Sequence, residues 1–401
     1  MQIEISRRSL LAGFLLSTVS NILGRAAFAA PTLNVILGRP TQNSIAVSLM
    51  SSSALTAYVD YGTSGKTFTS KSIISPLVSN TPVVFELKNL KSDQKYFYRI
   101  RYKDETAKTY AISKTYSFQT ARSAGKSFAF SLHGDTHPER NGKMFNSELY
   151  YVAMGNVASQ ANDFHILMGD DFSIDPIIGK GQATKENVEK IYRTHRDWLG
   201  VIGPTTPVYL VNGNHEQAAQ YLLDGSTTNP AVLAGNARNK YYPQPAPDNF
   251  YTGDNLDVPG IGKLRDYYSW SWGDALFITL DPYWHSKSAV DNVAGTDQAA
   301  VNKGTNNGKT KDLWQIGIGD EQYAWFKSTL EKAKSKYIFV FAHHVMGTGR
   351  GAIEISTDYE WGGRDPKGTT TFKDQRPNWE LPIHDLMVKH KVSIFFQGHD
   401  H

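Results

Sequence analysis

Five short polar clusters beyond residue 126 bring together carboxylate, amide and imidazole side chains, each directly after a run of apolar residues. In chain order they are Gly134-Asp135-Thr136-His137, Gly169-Asp170-Asp171, Gly213-Asn214-His215-Glu216, His343-His344 and Gly398-His399-Asp400-His401. The chain has no cysteine, so a metal ion bound here would have only oxygen and imidazole nitrogen ligands. With one carboxylate free to bridge, these side chains suit two metal ions, which together activate a bridging hydroxide for displacement at phosphorus.

The apolar runs ahead of the clusters predict buried β-strands, and helical stretches separate them, which is typical of an α/β domain. The predicted strands cover residues 128–132, 164–168, 208–211, 337–341 and 392–396, with a hairpin over 267–280. The predicted helices cover residues 143–161, 185–199, 320–334 and 381–390. Ligands of open α/β sheets bind outside the carboxyl ends of the strands, so the five clusters are expected to meet at one edge.

Residues 32–120 show a different pattern, in which short segments of alternating apolar and polar residues are separated by Ser, Gly, Asn and Asp. A period of two with frequent turns predicts a β-sandwich. Leu90, followed six residues later by Tyr96, resembles the tyrosine corner of fibronectin type III domains. We therefore predict a sandwich over 31–120, a linker over 121–126 and an α/β domain over 127–401. The sandwich carries no candidate catalytic cluster, which favours a spacer or packing role.

The first thirty residues predict a cleavable export signal. Arg7 and Arg8 precede a modestly apolar segment over 10–23, and small residues surround Phe28 ahead of Pro31. The paired arginines resemble a signal of the twin-arginine type. A membrane anchor is the alternative, but the apolar run is short and interrupted by polar residues. The protein is thus expected to be periplasmic or secreted, without a stable membrane anchor after cleavage.

Composition limits the remaining classes of function. The length of 401 residues suggests two domains, and 40% hydrophobic with 20% charged residues is typical of a globular protein. The formal net charge of +4 gives no support to a nucleic-acid partner or to binding at a membrane surface. Two segments without periodicity, 286–312 and 347–377, are predicted to be long surface loops.

The ordered series of five clusters resembles the calcineurin-like metallophosphoesterase family from about residue 126 to the end, and the preceding sandwich is similar to the N-terminal domain of purple acid phosphatases. The resemblance implies an α/β fold, specifically an α+β four-layer sandwich of two mixed sheets flanked by helices, after an all-β fibronectin type III-like sandwich. It also implies a metal-dependent phosphoric ester hydrolase of the acid phosphatase or phosphodiesterase kind, acting on small-molecule phosphate esters. Its two metal ions would be divalent or trivalent Fe, Zn or Mn.

The same resemblance implies roles for individual residues. The first metal would be held by Asp135, His137 and His401, the second by Asn214, His343 and His399, and Asp170 would bridge the two. His215 would protonate the leaving group or stabilise its developing charge, with an acidic neighbour orienting its ring. His343 is favoured over His344 as the ligand, although Val345 stands where the family usually has proline.

One departure from purple acid phosphatases concerns the first metal. Those enzymes place a tyrosine ligand where this chain has Ser173, and they lack the histidine that is present here as His137. The resemblance therefore implies an ordinary Asp-x-His site without a tyrosinate charge-transfer band.

Substrate contacts and the other histidines are less constrained by the sequence. Arg350, Arg364 and Arg376, in glycine-rich segments, could contact a phosphate, or they could be solvated loop arginines. The remaining histidines are predicted to pack or to lie at the surface, with His133 retained as a neighbour of the first cluster. They are His133, His165, His195, His285, His384 and His390.

Other functions stay open on the sequence. The chain could be a non-catalytic binding module on a degenerate phosphoesterase scaffold, or a phosphodiesterase or nucleotidase instead of a phosphomonoesterase. A nuclease would be expected to have a basic surface, which the composition does not indicate. Because the predicted ligand His401 is the last residue, with no chain beyond it to fix its backbone, the sequence is also predicted to be a fragment of a longer protein.

Overall fold

The computed structural model describes residues 31–142, 145–216, 219–286, 313–344, 356–365 and 367–399. Two antiparallel sheets form its N-terminal part. The first has the order β1 (Leu33–Gly38), β2 (Ile45–Ser51) and β6 (Val83–Leu87). The second has the order β4 (Ser70–Lys71), β3 (Leu55–Gly62), β7 (Lys95–Lys103) and β8 (Ala111–Ile112), with β5 (Ser75–Leu77) on β3 and β9 (Tyr116–Gln119) on β7.

The alternating apolar residues of these strands face one another and form a single buried cluster that includes Val47, Phe85 and Ile100. The hydroxyl of Tyr96 accepts a hydrogen bond of 2.9 Å from the backbone N–H of Lys91, as a tyrosine corner requires. The period-two pattern of the sequence and the observed β architecture therefore agree.

The rest of the chain contains two further principal sheets. β10 (Phe130–His133), β11 (Phe164–Leu167) and β12 (Val208–Leu210) run parallel. β13 (Thr252–Gly253), β16 (Tyr268–Trp272), β17 (Ala275–Thr279), β18 (Tyr337–Ala342) and β19 (Ile394–Gln397) form a mixed sheet in that order, in which β17, β18 and β19 are parallel. β14 (Asp257–Val258) and β15 (Gly262–Lys263) form a small hairpin.

Nine α-helices lie within the described residues of this part of the chain. They are α1 (Ser147–Ser159), α2 (Asp175–Gly179), α3 (Lys185–Leu199), α4 (Pro230–Tyr241), α5 (Pro282–His285), α6 (Gly319–Lys332), α7 (Tyr359–Gly362), α8 (Phe372–Gln375) and α9 (Ile383–Lys389). An aromatic core including Phe164, Trp270 and Phe277 fills the space between the two sheets. Separate apolar clusters pack helices against the far side of each sheet, which gives the predicted four-layer order.

Segment 347–377 differs from the predicted surface loop where the structure describes it. α7 and α8 lie in this segment, and the side chain of Trp361 is 1% exposed. Because a large apolar side chain gains free energy by leaving water, these short helices pack against α9 instead of extending into solvent. The predicted loop 286–312 falls outside the described residues from 287 onward.

The sandwich and the α/β part belong to one compact unit, Thr32–His401, and buried polar contacts join them. The guanidinium of Arg196 on α3 donates to the hydroxyl and carbonyl oxygens of Ser48 at 3.0 and 2.6 Å. The hydroxyls of Tyr98 and Tyr251 donate to the carbonyls of Pro204 and Pro40, each at 2.6 Å. Buried polar groups that find partners across a contact fix its geometry as well as its stability.

Candidate metal centre

The described metal-ligand candidates lie where parallel strands end. Asp135, Asp170 and Asn214 follow β10, β11 and β12, whereas His343 and His399 follow β18 and β19 of the other sheet. Four candidates hold the left-handed backbone that side chains other than glycine rarely adopt, with φ of 57° at Asp135, 32° at His137, 53° at Asp170 and 75° at His399. Such strain persists where the surrounding structure fixes it, and it is concentrated at functional sites.

One group brings Asp170 together with His343 and His399, whose possible ligand atoms lie within 4.8 Å of one another. Nδ1 of His343 donates to the carbonyl oxygen of Met168 at 2.8 Å. A carbonyl only accepts, so this bond puts a proton on Nδ1, and Nε2 is the nitrogen that faces Asp170, 3.1 Å from its Oδ2. Oδ1 of Asn214 lies 3.0 Å from Nδ1 of His399, which adds an amide oxygen to the group.

The second group contains Asp170 again, with His137 and His215. Nδ1 of His137 lies 3.2 Å from Oε1 of Glu139 and 3.1 Å from the hydroxyl of Ser173, while its Nε2 faces Oδ2 of Asp170 at 3.9 Å. Ser173, which occupies the position of the missing tyrosine, therefore contacts the back of the His137 ring.

Asp135, in the first of the five clusters, contacts His399, in the last. Its carboxylate accepts the backbone N–H of His399, with distances of 3.0 and 3.1 Å to the two oxygens, and it lies 3.8 Å from Nε2 of His343. Asp400 and His401 lie outside the described residues, so His401 stays a prediction.

Asp170 belongs to both groups and is 2% exposed. Its Oδ1 accepts the backbone N–H of His215 at 2.8 Å, and its Oδ2 lies 3.8 Å from Nε2 of that residue. Burial raises the pKa of Asp170, but the charges of His343 and His215 and hydrogen bonds from neighbouring imidazoles lower it further, to well below its usual value. An ionised carboxylate shared by two groups of ligands is suited to bridge two cations.

The residues fit a pair of metal ions. The Nε2 atoms of His137 and His343 are buried and both face Oδ2 of Asp170, at 3.9 and 3.1 Å, so the three side chains converge as the ligands of a shared cation must. Burial lowers the pKa of each ring, but Asp170 and the other neighbouring carboxylates raise it more, to about 9 for His137 and about 10 for His343. Protons therefore occupy these positions when no cation does, and metal binding must displace them.

Glu216 organises the site in a way that the sequence did not indicate beyond its place in the Gly-Asn-His-Glu cluster. Its Oε2 accepts the backbone N–H groups of Gly213 and Asp170 at 2.9 and 3.2 Å, and its Oε1 accepts that of Asp171 at 3.2 Å. One buried carboxylate thus ties the turn after β11 to the turn after β12.

Two charged residues beside His215 were also missed. Nδ1 of His215 donates to Oδ2 of Asp175 at 2.5 Å. Asp175 thus occupies the place of the acidic neighbour that the resemblance implied without identifying the residue. Nη2 of Arg140 lies 3.0 Å from the same Nδ1 and 3.6 Å from Oδ2 of Asp175, and the guanidinium also donates to the hydroxyl of Ser173. The signal for Arg140 was its position in the loop directly after the Asp-x-His cluster.

The structure separates the two candidate histidines after β18. His343 faces Asp170, whereas Nδ1 of His344 lies 3.1 Å from the hydroxyl of Tyr283, and its ring packs 4.6 Å from that of His399. His133 contacts Oδ1 of Asp171 through Nε2 at 2.8 Å, so it lies behind the site and beside the turn that carries Asp170.

The proposed substrate arginines remain predictions. Arg350 lies outside the described residues. Arg364 is exposed, and its backbone forms bridges with Asp358 and Thr370. Arg376, in the same part of the chain, lies against the ring of Trp379 and 3.4 Å from the carboxylate of Glu360, which is an interior packing role.

Among the helices within the described ranges, none combines the length and the apolar composition that a bilayer crossing needs.

Comparison with known proteins places this geometry in a family. Residues 132–401 match the sequence profile of the calcineurin-like phosphoesterases. A solved structure of PhoD is similar to the chain with a TM-score of 0.52 and 16% identity, over 78% of this chain and 62% of that one. The purple acid phosphatase PPD1 from seeds of yellow lupin is similar with a TM-score of 0.56 and 17% identity, over 92% of this chain and 58% of that one.

The chain thus spans about three fifths of the length of these two solved structures. No curated protein matches its sequence. At these identities the likeness to the two structures concerns the fold.

Proposed function

Because this chain belongs to the calcineurin-like phosphoesterase family, we propose that it is an exported dinuclear-metal hydrolase of small-molecule phosphate esters. The observation that carries the proposal is the shared position of Asp170, which lies in both groups of buried ligand atoms. The imidazole nitrogens of His137 in one group and His343 in the other are buried and aimed at that one carboxylate, which is the arrangement that shared metal ligands need.

The proposed ligands divide between two ions of Fe, Zn or Mn. Asp135, His137 and His401 would hold the first ion, and Asn214, His343 and His399 the second, with Asp170 between them. When bound, the ions supply the positive charge that activates the nucleophile and stabilises the transition state at phosphorus. The chain's own contribution is to fix these side chains through strained turns and through the Glu216 carboxylate, so that little reorganisation is needed.

His215 is the proposed proton donor. Its Nδ1–H donates to Asp175, so its Nε2 points toward the centre, 3.8 Å from Oδ2 of Asp170. In the protonated form this Nε2 can give a proton to the leaving-group oxygen, and Asp175 stabilises the imidazolium and holds the ring in place.

Arg140 is the proposed substrate anchor among the described residues. Its side chain is 27% exposed, and its guanidinium reaches the ring of His215. A guanidinium in this position can form charge-assisted hydrogen bonds with a phosphate whose leaving group faces His215. Arg350 and Arg364 remain further candidates for the same role.

The rest of the chain is proposed to serve export and assembly. Residues 1–30 would be a twin-arginine-type signal peptide, which places the enzyme in the periplasm or outside the cell without a stable membrane anchor. Residues 31–120 would form a fibronectin type III-like domain, supported by the hydrogen bond from Lys91 to Tyr96, followed by the linker 121–126 and the catalytic domain 127–401.

The test is hydrolysis of p-nitrophenyl phosphate and bis(p-nitrophenyl) phosphate by protein loaded with Zn²⁺, Mn²⁺ or Fe. We expect activity that a chelator abolishes and that Asp170→Ala removes. The ratio of monoester to diester rates decides between a phosphomonoesterase and a phosphodiesterase. Fully metallated protein that is inactive on a broad panel of phosphoesters would contradict the proposal and favour a binding module.

A further inference from the structure

A separate group of metal-ligand side chains lies outside the five clusters. Asp254 directly follows β13, Asp266 lies two residues before β16, and His285 is the last residue of α5. Their possible ligand atoms lie within 4.8 Å of one another. The sequence predicted only packing or surface exposure for His285 and no role for either aspartate.

The two aspartates are buried, His285 is partly buried, and their polar atoms are only partly satisfied. Asp254 is 1% exposed and Asp266 is 2% exposed. Nε2 of His285 lies 2.8 Å from Oδ2 of Asp266, whose Oδ1 accepts the backbone N–H of Tyr267 at 2.9 Å. Oδ1 of Asp254 accepts the backbone N–H of Leu256 at 2.8 Å, but no N–H or hydroxyl within the described ranges donates to its buried Oδ2, and the carboxyl group lies within hydrogen-bonding reach of Asp266.

Charge in this region is unbalanced. Asp281, fully buried at the start of α5, adds a third carboxylate whose field acts on the same group. Its Oδ2 accepts a hydrogen bond of 2.6 Å from the neutral amide of Asn212. The guanidinium of Arg238 donates to the oxygen of this same amide. Buried carboxylates are costly without a cation or a proton between them. Burial and the charge of Asp266 accordingly raise the pKa of Asp254 to about 7.

We propose that Asp254, Asp266 and His285 bind a divalent first-row cation such as Zn²⁺ or Mn²⁺ at a site separate from the dinuclear centre. Two carboxylate oxygens and one imidazole nitrogen suit these ions, whereas Ca²⁺ and Mg²⁺ prefer shells made entirely of oxygen. His285 also lines a cavity of about 350 Å³, which neither aspartate borders.

The ion would fasten α5 to the edge of the mixed sheet. Asp281 caps this short helix by accepting the backbone N–H of Tyr283 at 2.6 Å, and Pro282 occupies its first position, where the absent N–H costs nothing. The same helix presents the hydroxyl of Tyr283 to His344. The site is therefore structural, and it holds a residue that borders the dinuclear centre.

Crystals of the full chain soaked with Mn²⁺ or Zn²⁺ test the site directly through anomalous scattering at the metal edge. We expect a peak among Asp254, Asp266 and His285 in addition to density at Asp170. Peaks at Asp170 with none among the three residues would overturn the inference and leave the proposed function intact. A peak at the three residues with none at Asp170 would support the inference and count against the proposed function.

Metal analysis in solution provides a second test, with Asp257→Asn as the matched control because that carboxylate is 74% exposed on a neighbouring hairpin. Asp254→Asn should lower the bound metal by about one ion per chain relative to this control. His285→Gln, which keeps a polar group beside Asp266, should give the same loss if Asp254→Asn folds poorly. Unchanged metal content, with higher thermal stability of Asp254→Asn, would show that the carboxylates share a proton and would overturn the inference.

Discussion

Two buried groups of histidine and aspartate side chains within the described residues differ in how the chain builds them. The group around Asp170 collects side chains from the carboxyl ends of strands in both sheets. The group of Asp254, Asp266 and His285 collects them from a two-residue strand, the approach to β16 and a four-residue helix. Asp135, His137, Asp170 and His399 hold positive φ, whereas the three residues of the other group do not.

This difference agrees with the proposals of a reactive centre at Asp170 and a structural site at His285. Strained turns at strand ends hold ligands in one orientation and leave the site open to a substrate beyond the sheet edge. Unstrained ligands from three irregular segments can bind an ion but mainly join those segments together. Burial of imidazole against carboxylate is common to both groups, so burial alone does not identify a catalytic site.

The largest expected effect distinguishes the two groups by activity. Asp170→Ala should lower the rate of p-nitrophenyl phosphate hydrolysis at saturating metal by at least roughly 10³-fold, about 4 kcal/mol of transition-state stabilisation, because it removes the shared ligand. Asp254→Asn should stay within about threefold of the wild type, since its group lies away from the reacting atoms. Initial rates check both, and an equal loss in the two variants would contradict the distinction.

Proton transfer to the leaving group should depend on the residues around Asp170 and not on the group of Asp254, Asp266 and His285. His215→Ala should lower kcat by about 10²-fold through loss of the proton donor, and Asp175→Asn by about 10-fold through loss of ring orientation. His285→Gln is the matched histidine control and should leave kcat within a few-fold. The loss of rate in His215→Ala should be smaller for an ester whose leaving group needs no proton than for one whose leaving group does. Equal losses for the two esters would contradict the role of His215 as proton donor.

The two groups should affect the stability of metal-free protein in different pH ranges. The pKa values of His137 and His343 are raised to about 9 and about 10, so their contribution is complete below pH 6.5 and is lost as pH rises through these values, by roughly 3 kcal/mol for His137 and roughly 5 kcal/mol for His343. The raised pKa of Asp254, about 7, makes the folded state bind more protons than the unfolded state between pH 3.8 and 7. Stability therefore also falls as pH rises through this lower range.

Urea unfolding in the presence of a chelator, measured from pH 4 to 10, checks these ranges. Asp254→Asn should reduce the lower decline, to which the raised pKa values of Asp281 and Glu360 also contribute, and His343→Gln should reduce the upper one. A single decline that neither variant changes would mean that other groups control the pH dependence.

The smallest expected effect concerns α5, which connects the two groups. Tyr283→Phe removes the hydroxyl that lies 3.1 Å from Nδ1 of His344, and we expect a loss of about 1 kcal/mol in unfolding free energy. Activity should fall by less than about fivefold. Tyr151→Phe, at a position 45% exposed, is the control and should change neither quantity. A larger loss of activity from Tyr283→Phe would assign the hydroxyl a direct role at the centre.

Much of the fold and of the residues around Asp170 could be predicted from the sequence, because the patterns that indicate them lie in neighbouring residues. Apolar runs followed by polar residues, with a glycine between them in every case except β18, predicted where β10, β11, β12, β18 and β19 end, and parallel strands of one sheet end at the same edge. The pairing of Arg140 and Asp175 with His215 could not be predicted, since both arginine and aspartate are ordinary residues of exposed loops. The group around Asp254 gave no signal, because its residues share no motif and lie in short, irregular segments.

The sequence by itself determined which ligand types this protein has and the order in which the strands present them. Backbone preference and side-chain periodicity are properties of neighbouring residues, so the printed chain contains them. Only the tertiary structure decided which nitrogen of His343 faces Asp170, because the bond that orients the ring goes to Met168, 175 positions away. It also brought Asp254 and Asp266 to His285, since contact between distant segments depends on the packing of the whole sheet.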